Sequence, residues 1–270
     1  MISGVARPRP ASNGMNISLA PEPLFHIGTF AVTNTLIVAW VVIAVLLIAA
    51  YGVRKKLAVI PRGLQNLLES VFEAALNLMD SVTGSRALSY KFFPVVMTIF
   101  LFVLLSNLIE IVPGLGTIGI REVHEGREII IPFIRSSSAD LNVTLAIAIV
   151  SVLATQIMGI AALGFFKYAG KFIIAPWRSP YIVGTFVGAL ELVAEVAKII
   201  SFSFRLFGNI FAGEVLLTVA LFLVPYVVPL PFLMLEIFVG LVQAVVFSML
   251  TLVFMKMATT GHEGHEEHAH

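Results

Sequence analysis

Long apolar runs, separated by short charged or proline-containing stretches, dominate the chain and predict membrane-crossing helices. At about 1.5 Å per residue, roughly 20 apolar residues cross a bilayer core of about 30 Å. The predicted spans are 31–53, 92–111, 141–167, 180–224 and 232–257. The fourth is much longer than a bilayer is thick, so we expect it to bend or to tilt strongly. The proline-containing stretch 225–231 predicts a turn between the last two spans.

A different pattern covers residues 61–84, where apolar side chains recur every three to four positions. Pro61 and Gly84 bracket this stretch as typical helix boundaries. The apolar positions are Leu64, Leu67, Leu68, Val71, Phe72, Ala75, Leu76 and Met79. The acids and amides fall between them, at Glu69, Glu73, Asn77 and Asp80. The pattern predicts an amphipathic helix that lies on the membrane surface without crossing it.

The basic residues predict the orientation of the chain. Arg54, Lys55 and Lys56 follow the first span and mark the cytoplasmic side by the positive-inside rule. Five crossings then place the segment 1–30 outside and the C-terminus inside. The other basic residues expected inside are Arg62, Arg86, Lys91, Lys167, Lys171, Arg178 and Lys256, whereas Arg121, Arg127 and Arg135 fall in the outer loop 112–140. The first 30 residues lack the apolar core of a cleavable signal peptide.

Composition restricts the class of protein further. Hydrophobic residues make up 59% of the 270 residues and charged residues 12%, against about 25% charged in soluble domains. The sequence therefore predicts an all-α integral membrane protein, with a membrane domain over 31–258. A net charge of +1 argues against a nucleic-acid partner.

Several chemistries are also excluded or disfavoured. The chain has no cysteine, which excludes disulfides and thiolate metal sites, and no phosphate-binding GxxxxGK[ST] motif. We expect no cofactor and no fixed metal site. The tail 259–270 holds four histidines and three glutamates. A solvated, disordered end is the favoured interpretation, and loose binding of a divalent metal is the alternative.

Polar residues inside the last two spans are the candidate functional residues. An arginine or lysine at the bilayer centre costs at least about 2.5–3.5 kcal/mol. The candidates are Glu191, Glu195, Lys198, Arg205, Asn209, Glu214, Glu236 and Gln243. One interpretation is structural, with Glu191, Glu195 and Lys198 as a salt-bridge set. Arg205 has no acid within two helical turns, so we expect its partner carboxylate on another chain.

Five stretches, in order along the chain, resemble subunit a of the F-type ATP synthase. They are "PEPLFHIG" at 21–28, "SNLIEIVPG" at 106–114, "SADLNVTLAIA" at 138–148, "FRLFGNIFAGE" at 204–214 and "QAVVFSMLTLVFMKMA" at 243–258. The resemblance implies a proton-translocating stator subunit whose last two helices form a tilted hairpin against the rotating c-ring. It implies the c-ring, peripheral stalk b subunits and other ATP synthase subunits as partners, and the bacterial plasma (inner) membrane as the location.

The resemblance also implies roles for single residues. Arg205 matches the family's essential arginine, Asn209 its asparagine and Gln243 its glutamine. Glu214 and Glu236 match the outer half-channel pair and are expected to face each other across the hairpin. Because both are glutamates, how they share protons is open. Glu191 matches the acid of the inner half-channel, and Glu195 and Lys198 are candidates beside it. ATP chemistry belongs to other subunits. The sequence leaves open whether the ion coupled to rotation is a proton or a sodium ion.

Two other classes of protein compete with this interpretation. A self-contained transporter or channel would line a closed path with these polar residues and would show internal repeats, which the sequence lacks. A scaffold protein without an ion path would have no use for Arg205. Copurification with a c-ring and a peripheral stalk would separate the three classes.

Overall fold

The computed structural model describes residues 23–28, 30–55, 63–112, 119–124, 127–132, 134–172, 181–224 and 227–260. The predictions for most of the segment 1–30, for the basic residues Lys56, Arg62 and Arg178, and for nearly all of the tail 259–270 lie outside these residues. The helices are α1 (Asn34–Lys55), α2 (Leu64–Thr83), α3 (Arg86–Glu110), α4 (Leu141–Leu163), α5 (Phe165–Phe172), α6 (Tyr181–Leu223) and α7 (Pro229–Thr259).

Five helices in the described part of the chain are long and apolar enough to cross a membrane. They are α1, α3, α4, α6 and α7, with apolar segments at Asn34–Lys55, Arg86–Ile109, Leu141–Leu163, Phe186–Leu223 and Pro229–Thr259. The amphipathic helix α2 is not among them. Its buried side chains Leu76 and Met79 point towards the bundle, and it contacts α3 and α7. The predicted fold class, an all-α integral membrane protein, is confirmed.

Some helix ends differ from the predicted spans for local reasons. α3 begins at Arg86, before the apolar run, because the Arg86 side chain binds acids of α2 and fixes this polar first turn. α7 begins at Pro229 inside the expected turn, because proline is well tolerated in the first turn of a helix. α6 is one continuous helix of 43 residues, about 65 Å long.

Two short antiparallel hairpins accompany the helices, and the apolar periodicity gave no sign of them. β1 (Pro23–Ile27) pairs with β2 (Phe30–Thr33), and Gly28 has a positive φ of 65° at the turn between them. β3 (Gly119–His124) pairs with β4 (Arg127–Pro132) within the loop between α3 and α4. A 3₁₀ turn over Ser137–Ala139 then leads into α4.

The core lies where α3, α4, α6 and α7 meet. Phe202 and Leu206 of α6 pack against Phe247 of α7, with the two phenylalanine ring centroids 4.8 Å apart. The remaining buried members of this core are Ile99, Val103, Ala148 and Ala244. The residues of this cluster are called the apolar core below. It holds α6 and α7 side by side at mid-length.

Hydrogen bonds between helices define the two ends of the bundle. At one end, the Thr35 hydroxyl donates to Asp140 Oδ2 (2.8 Å), which joins the beginnings of α1 and α4. At the other end, Lys256 Nζ donates to the Val82 carbonyl oxygen (2.8 Å), which joins the ends of α7 and α2. We refer to these as the Asp140 end and the Lys256 end. Both α1 and α4 run from the Asp140 end towards the Lys256 end. The basic residues Arg54 and Lys55, at the end of α1, and Lys167, just after α4, therefore lie towards the Lys256 end.

Candidate functional site

Arg205 lies on a face of α6 that this chain leaves uncovered. Its guanidinium donates a long hydrogen bond to Ser201 Oγ (3.4 Å) and lies 5.8 Å from the ring centroid of Phe202. Within the described residues it makes no ion pair. Ser201, Gly208 and Ala212 are exposed on the same face at helical spacing. Arg205 is therefore an exposed charge beside small residues, and its guanidinium borders the apolar core at Phe202.

Polar side chains gather between Arg205 and the Asp140 end. Asn209 Nδ2 donates to Gln243 Oε1 (2.8 Å), which links α6 to α7 one turn beyond Arg205. Glu214 and Glu236 lie farther along the same two helices, and the Glu236 carboxyl group packs against Gly213, the residue before Glu214. We call Asn209, Gln243, Glu214 and Glu236, together with Arg135, the outer cluster.

Arg135 is the member of this cluster that sequence reasoning missed. It was assigned to the outer loop, but its side chain is buried and its Nη2 lies 2.9 Å from Glu214 Oε2. The segment that carries Arg135 is fixed by buried hydrogen bonds: Ser136 Oγ donates to the Ser106 carbonyl and Ser138 Oγ to Asn107 Oδ1. The only sequence signal was a lone arginine directly before the serines that lead into the third span.

Glu236 has different surroundings from Glu214. It is 8% exposed, and its Oε1 has no hydrogen-bond partner among the described residues. The carboxyl group packs against Gly213 of α6, where an added Cβ would lie 2.7 Å from Oε1. The glycine thus provides the space that brings Glu236 against α6, beside Glu214.

A second polar group lies between Arg205 and the Lys256 end. Lys198 Nζ forms an ion pair with Glu195 Oε1 (2.6 Å) and lies 4.7 Å from the ring centroid of Phe254. The expected pairing of Glu195 with Lys198 is therefore present. Glu191 lies one turn before Glu195 on α6. Together with Tyr168 and Gln156, described next, these residues form the inner cluster.

Tyr168 joins the inner cluster from α5 and was not found from the sequence. It is buried, its hydroxyl donates to Gln156 Oε1 of α4, and its ring packs against Gly159. Burial, together with the negative charges of Glu195 and Glu191, raises the pKa of Tyr168 to about 12. Its hydroxyl therefore keeps its proton at neutral pH and can act as a hydrogen-bond donor next to the two acids.

The apolar core separates the two clusters. Phe202 and Leu206 lie on α6 between Lys198 and Asn209, and Phe247 and Ala244 lie on α7 between Phe254 and Gln243. The described contacts thus give two polar clusters at different heights of the bundle, with the apolar core and the buried Ser203–Thr144 hydroxyl contact between them. Arg205 is at the height of that core, on the outer surface of α6.

These features define a multi-pass membrane protein with two separate polar regions and an uncovered arginine between them. The family model of the ATP synthase A chain matches residues 35–256. An ATP synthase subunit a from Moorella thermoacetica is 30% identical over 243 residues, which covers 90% of this chain and 98% of the relative. One from Campylobacter jejuni is 34% identical (89% and 91% covered), and one from Helicobacter pylori is 34% identical (79% and 84% covered). The chain belongs to the ATP synthase A chain family.

Proposed function

We propose that this chain is the proton-translocating stator of an F-type ATP synthase, with two offset half-channels and an essential arginine, Arg205, facing the c-ring. Family membership connects the chain to ATP synthesis and proton transport, and makes other ATP synthase subunits its partners. The finer roles rest on the site. The observation that carries them is the position of Arg205, uncovered and without an acid partner among the described residues, between two polar clusters.

The surroundings of Arg205 suit a moving partner carboxylate. Ser201, Gly208 and Ala212 leave its face of α6 smooth, so a helix of a rotating ring can pass close to it. A positive charge favours the ionised form of an approaching carboxyl group. Each ring carboxylate would therefore release its proton before it passes Arg205. Arginine suits this role because it keeps its charge when poorly hydrated, whereas a lysine can lose its proton.

The two clusters would serve as the half-channels. The outer cluster, with Glu214, Glu236, Asn209 and Gln243, would bring protons to the ring. The inner cluster around Glu191, with Glu195 and Lys198 beside it, would receive them at a different height. Because the two clusters are offset along α6, a proton must travel with the ring from one to the other. Each charge that crosses the membrane supplies about 2.3 kcal/mol per 100 mV.

The proposed orientation follows from the ends of the bundle. Arg54, Lys55 and Lys256 lie towards the Lys256 end, and by the positive-inside rule they support a cytoplasmic location for this end. The N-terminus is then outside and the C-terminus cytoplasmic, in a bacterial inner membrane. In this orientation α2 presents Glu69 and Glu73 on the cytoplasmic surface, where the b subunits of the peripheral stalk would bind.

Arg205→Ala tests this function in inverted membrane vesicles. We expect loss of ATP-driven proton pumping and of ATP synthesis, while passive proton leak persists or rises, because ring carboxylates can then pass the stator without releasing their protons. Arg205→Lys should be nearly as damaging. The assay is quenching of a pH-sensitive dye, with assembly of the complex checked by immunoblot. Arg54→Ala, at the far end of α1, is the matched control and should pump normally. Pumping by a fully assembled Arg205→Ala complex at wild-type rates would show that the stator assignment is wrong.

A further inference from the structure

Helix α6 carries two basic residues, Lys198 and Arg205, and both lie on one side of the helix. They are seven residues apart, which is almost two full turns, so their Cα atoms are about 10 Å apart along the same face. Arg205 is exposed and makes no ion pair within the described residues. Lys198 makes one, because its Nζ lies 2.6 Å from Glu195 Oε1. The charge of Lys198 is thus balanced within this chain, whereas the charge of Arg205 is not.

The Glu195–Lys198 pair has little contact with water. Glu195 is 8% exposed, and Lys198 Nζ lies 4.7 Å from the ring centroid of Phe254 on α7. Glu195 precedes Lys198 by three residues, a spacing at which an acid and a base on one helix meet. Charges that are partly buried are screened less than charges on a surface. Loss of the acid would therefore leave a full positive charge on this face of α6.

We propose that Glu195 is a positioning residue that balances the charge of Lys198, so that Arg205 is the one net positive charge that α6 presents to a passing ring carboxyl group. This inference rests on the stator function proposed above. A second unbalanced cation, about two turns before Arg205, would favour the ionised form of each ring carboxyl group at the inner cluster. The group would then resist protonation from the cytoplasm, which ATP-driven pumping requires.

The other charged groups around the pair do not replace Glu195. Glu191 is seven residues before Lys198, about 10 Å along the helix. The elements packed against α6 in the inner cluster are α4, α5 and α7, and α4 has no titratable side chain. The titratable residues of the other two are Lys167, Tyr168 and Lys171 of α5, and Lys256 and, near the opposite end, Glu236 of α7. Tyr168 keeps its proton at neutral pH, because its pKa is raised to about 12. Among the described residues, Glu195 is therefore the acid that directly balances Lys198.

The test measures ATP-driven proton pumping in inverted membrane vesicles, where the assay medium faces the cytoplasmic side of the protein. In Glu195→Gln, the alkaline limb of the pH profile of pumping should move about one pH unit towards acid. This is the order of magnitude for one unit charge about 10 Å from a carboxyl group at an effective dielectric constant of about 20. ATP synthesis requires proton release on this side, so its rate at alkaline pH should not fall. A merely structural role would lower both directions without moving the profile.

Further variants separate the charge of Lys198 from the folding of α6. Glu195→Gln/Lys198→Met leaves no net charge at the pair and should return the pH profile to that of the wild type. Glu195→Asp keeps the acid and should also show the wild-type profile. Glu195→Ala removes the same charge with a different side chain and should repeat the acid shift, so the test does not depend on assembly of one variant. Lys91→Met, which removes an exposed cation of α3, is the control.

Pumping rates are normalised to assembled complex by immunoblot, and ATP hydrolysis by the detached soluble sector is measured over the same pH range to correct for its own pH dependence. The proposal is overturned if Glu195→Gln and Glu195→Ala pump with the wild-type pH profile, or if the double variant keeps the acid shift. Failure of the stator function would be seen separately, as normal pumping by Arg205→Ala in the same assay.

Discussion

The close approach of Gly213 to Glu236 allows the position of a carboxyl group to be changed without changing its chemistry. In Gly213→Ala, the new Cβ would lie 2.7 Å from Glu236 Oε1 and 3.3 Å from its Cδ. Ordinary contact begins near 3.4 Å, so the carboxyl oxygen must retreat by about 0.7 Å. The obstacle is the end of a flexible side chain, and Glu236 can therefore yield without a shift of α6 or α7.

The energies of overpacking and of helix propensity predict that Gly213→Ala lowers proton flux but still allows the chain to fold. Overpacking by one methyl group costs typically about 1–3 kcal/mol, and alanine in place of glycine returns about 0.8–1 kcal/mol of helix propensity. The net change in stability is small, and the complex should assemble. A misplacement of about 1 Å at a reacting group can cost about 100-fold in rate. With a retreat somewhat smaller than that, we expect passive proton flux to fall about tenfold.

Passive proton flux and assembly of the complex are measured together on membrane vesicles from which the soluble sector has been removed. Gly52→Ala is the matched control, because its added Cβ would meet no atom within 4 Å. A second variant tests the cause. Glu236→Asp shortens the side chain by one methylene and removes the clash, so Gly213→Ala should lower flux in the wild-type background but not in the Glu236→Asp background. Equal loss in both backgrounds, or a normal flux in Gly213→Ala, would refute the steric argument.

Two further predictions concern the Lys256 end. Gly159→Ala should destabilise the chain, because the new Cβ would lie 2.9 Å from Tyr168 Cζ and 3.1 Å from the Ala258 carbonyl oxygen in the backbone of α7. Overpacking costs about 1–3 kcal/mol and alanine returns about 0.8–1 kcal/mol of helix propensity, so we expect a net loss of up to about 2 kcal/mol. It should be seen as a lower melting temperature and reduced assembly, and an unchanged melting temperature would contradict this contact. The nearby Ser89 hydroxyl and the Arg86 guanidinium, which donates to Asp80 Oδ2 (2.7 Å), hold the pKa of Asp80 below its ordinary value. The docking of α2 on α3 should therefore persist above about pH 4 and weaken as pH falls through that lowered pKa. Hydrogen exchange of the α2 amides, corrected for intrinsic rates, should rise in acid in the wild type and be high at both pH values in Asp80→Asn.

The sequence predicted the features that repeat along the chain. Hydrophobic runs gave the five spans, and the three-to-four-residue period of 61–84 distinguished α2 from them, because burial in lipid and burial at an interface leave different patterns. The glycine that closes α2 was also visible: Gly84 has the positive φ of 72° that a left-handed helix end requires. The family motif placed Arg205, Asn209 and Gln243 on the last two helices.

What the sequence could not show depends on contacts between distant segments. The Arg135–Glu214 pair joins residues 79 positions apart, and periodicity within one helix carries no information about it. Tyr168 reached the inner cluster because Gly164 turns the chain with a φ of 82° and folds α5 back onto α4 and α6. The hairpins were hidden for a different reason: their strands are only four to six residues long, too short for alternation to stand out among apolar spans.

The packed core between the two clusters explains why a stator of this kind needs a moving partner. A bare charge inside hydrocarbon costs tens of kcal/mol by ideal solvation estimates, whereas a membrane potential of 100 mV supplies only about 2.3 kcal/mol per charge. The layer formed by Phe202, Leu206 and Phe247 therefore disfavours a direct route for a bare charge through this chain. Under the proposed function, a proton can move between the clusters only as part of a neutral carboxylic acid on the ring. Arg205 blocks the shorter path along the ring between the two clusters, because its positive charge disfavours the neutral form of a ring carboxyl group. The core and the arginine thus block two different leaks, so removing the arginine should open the route along the ring and leave the route through the core shut.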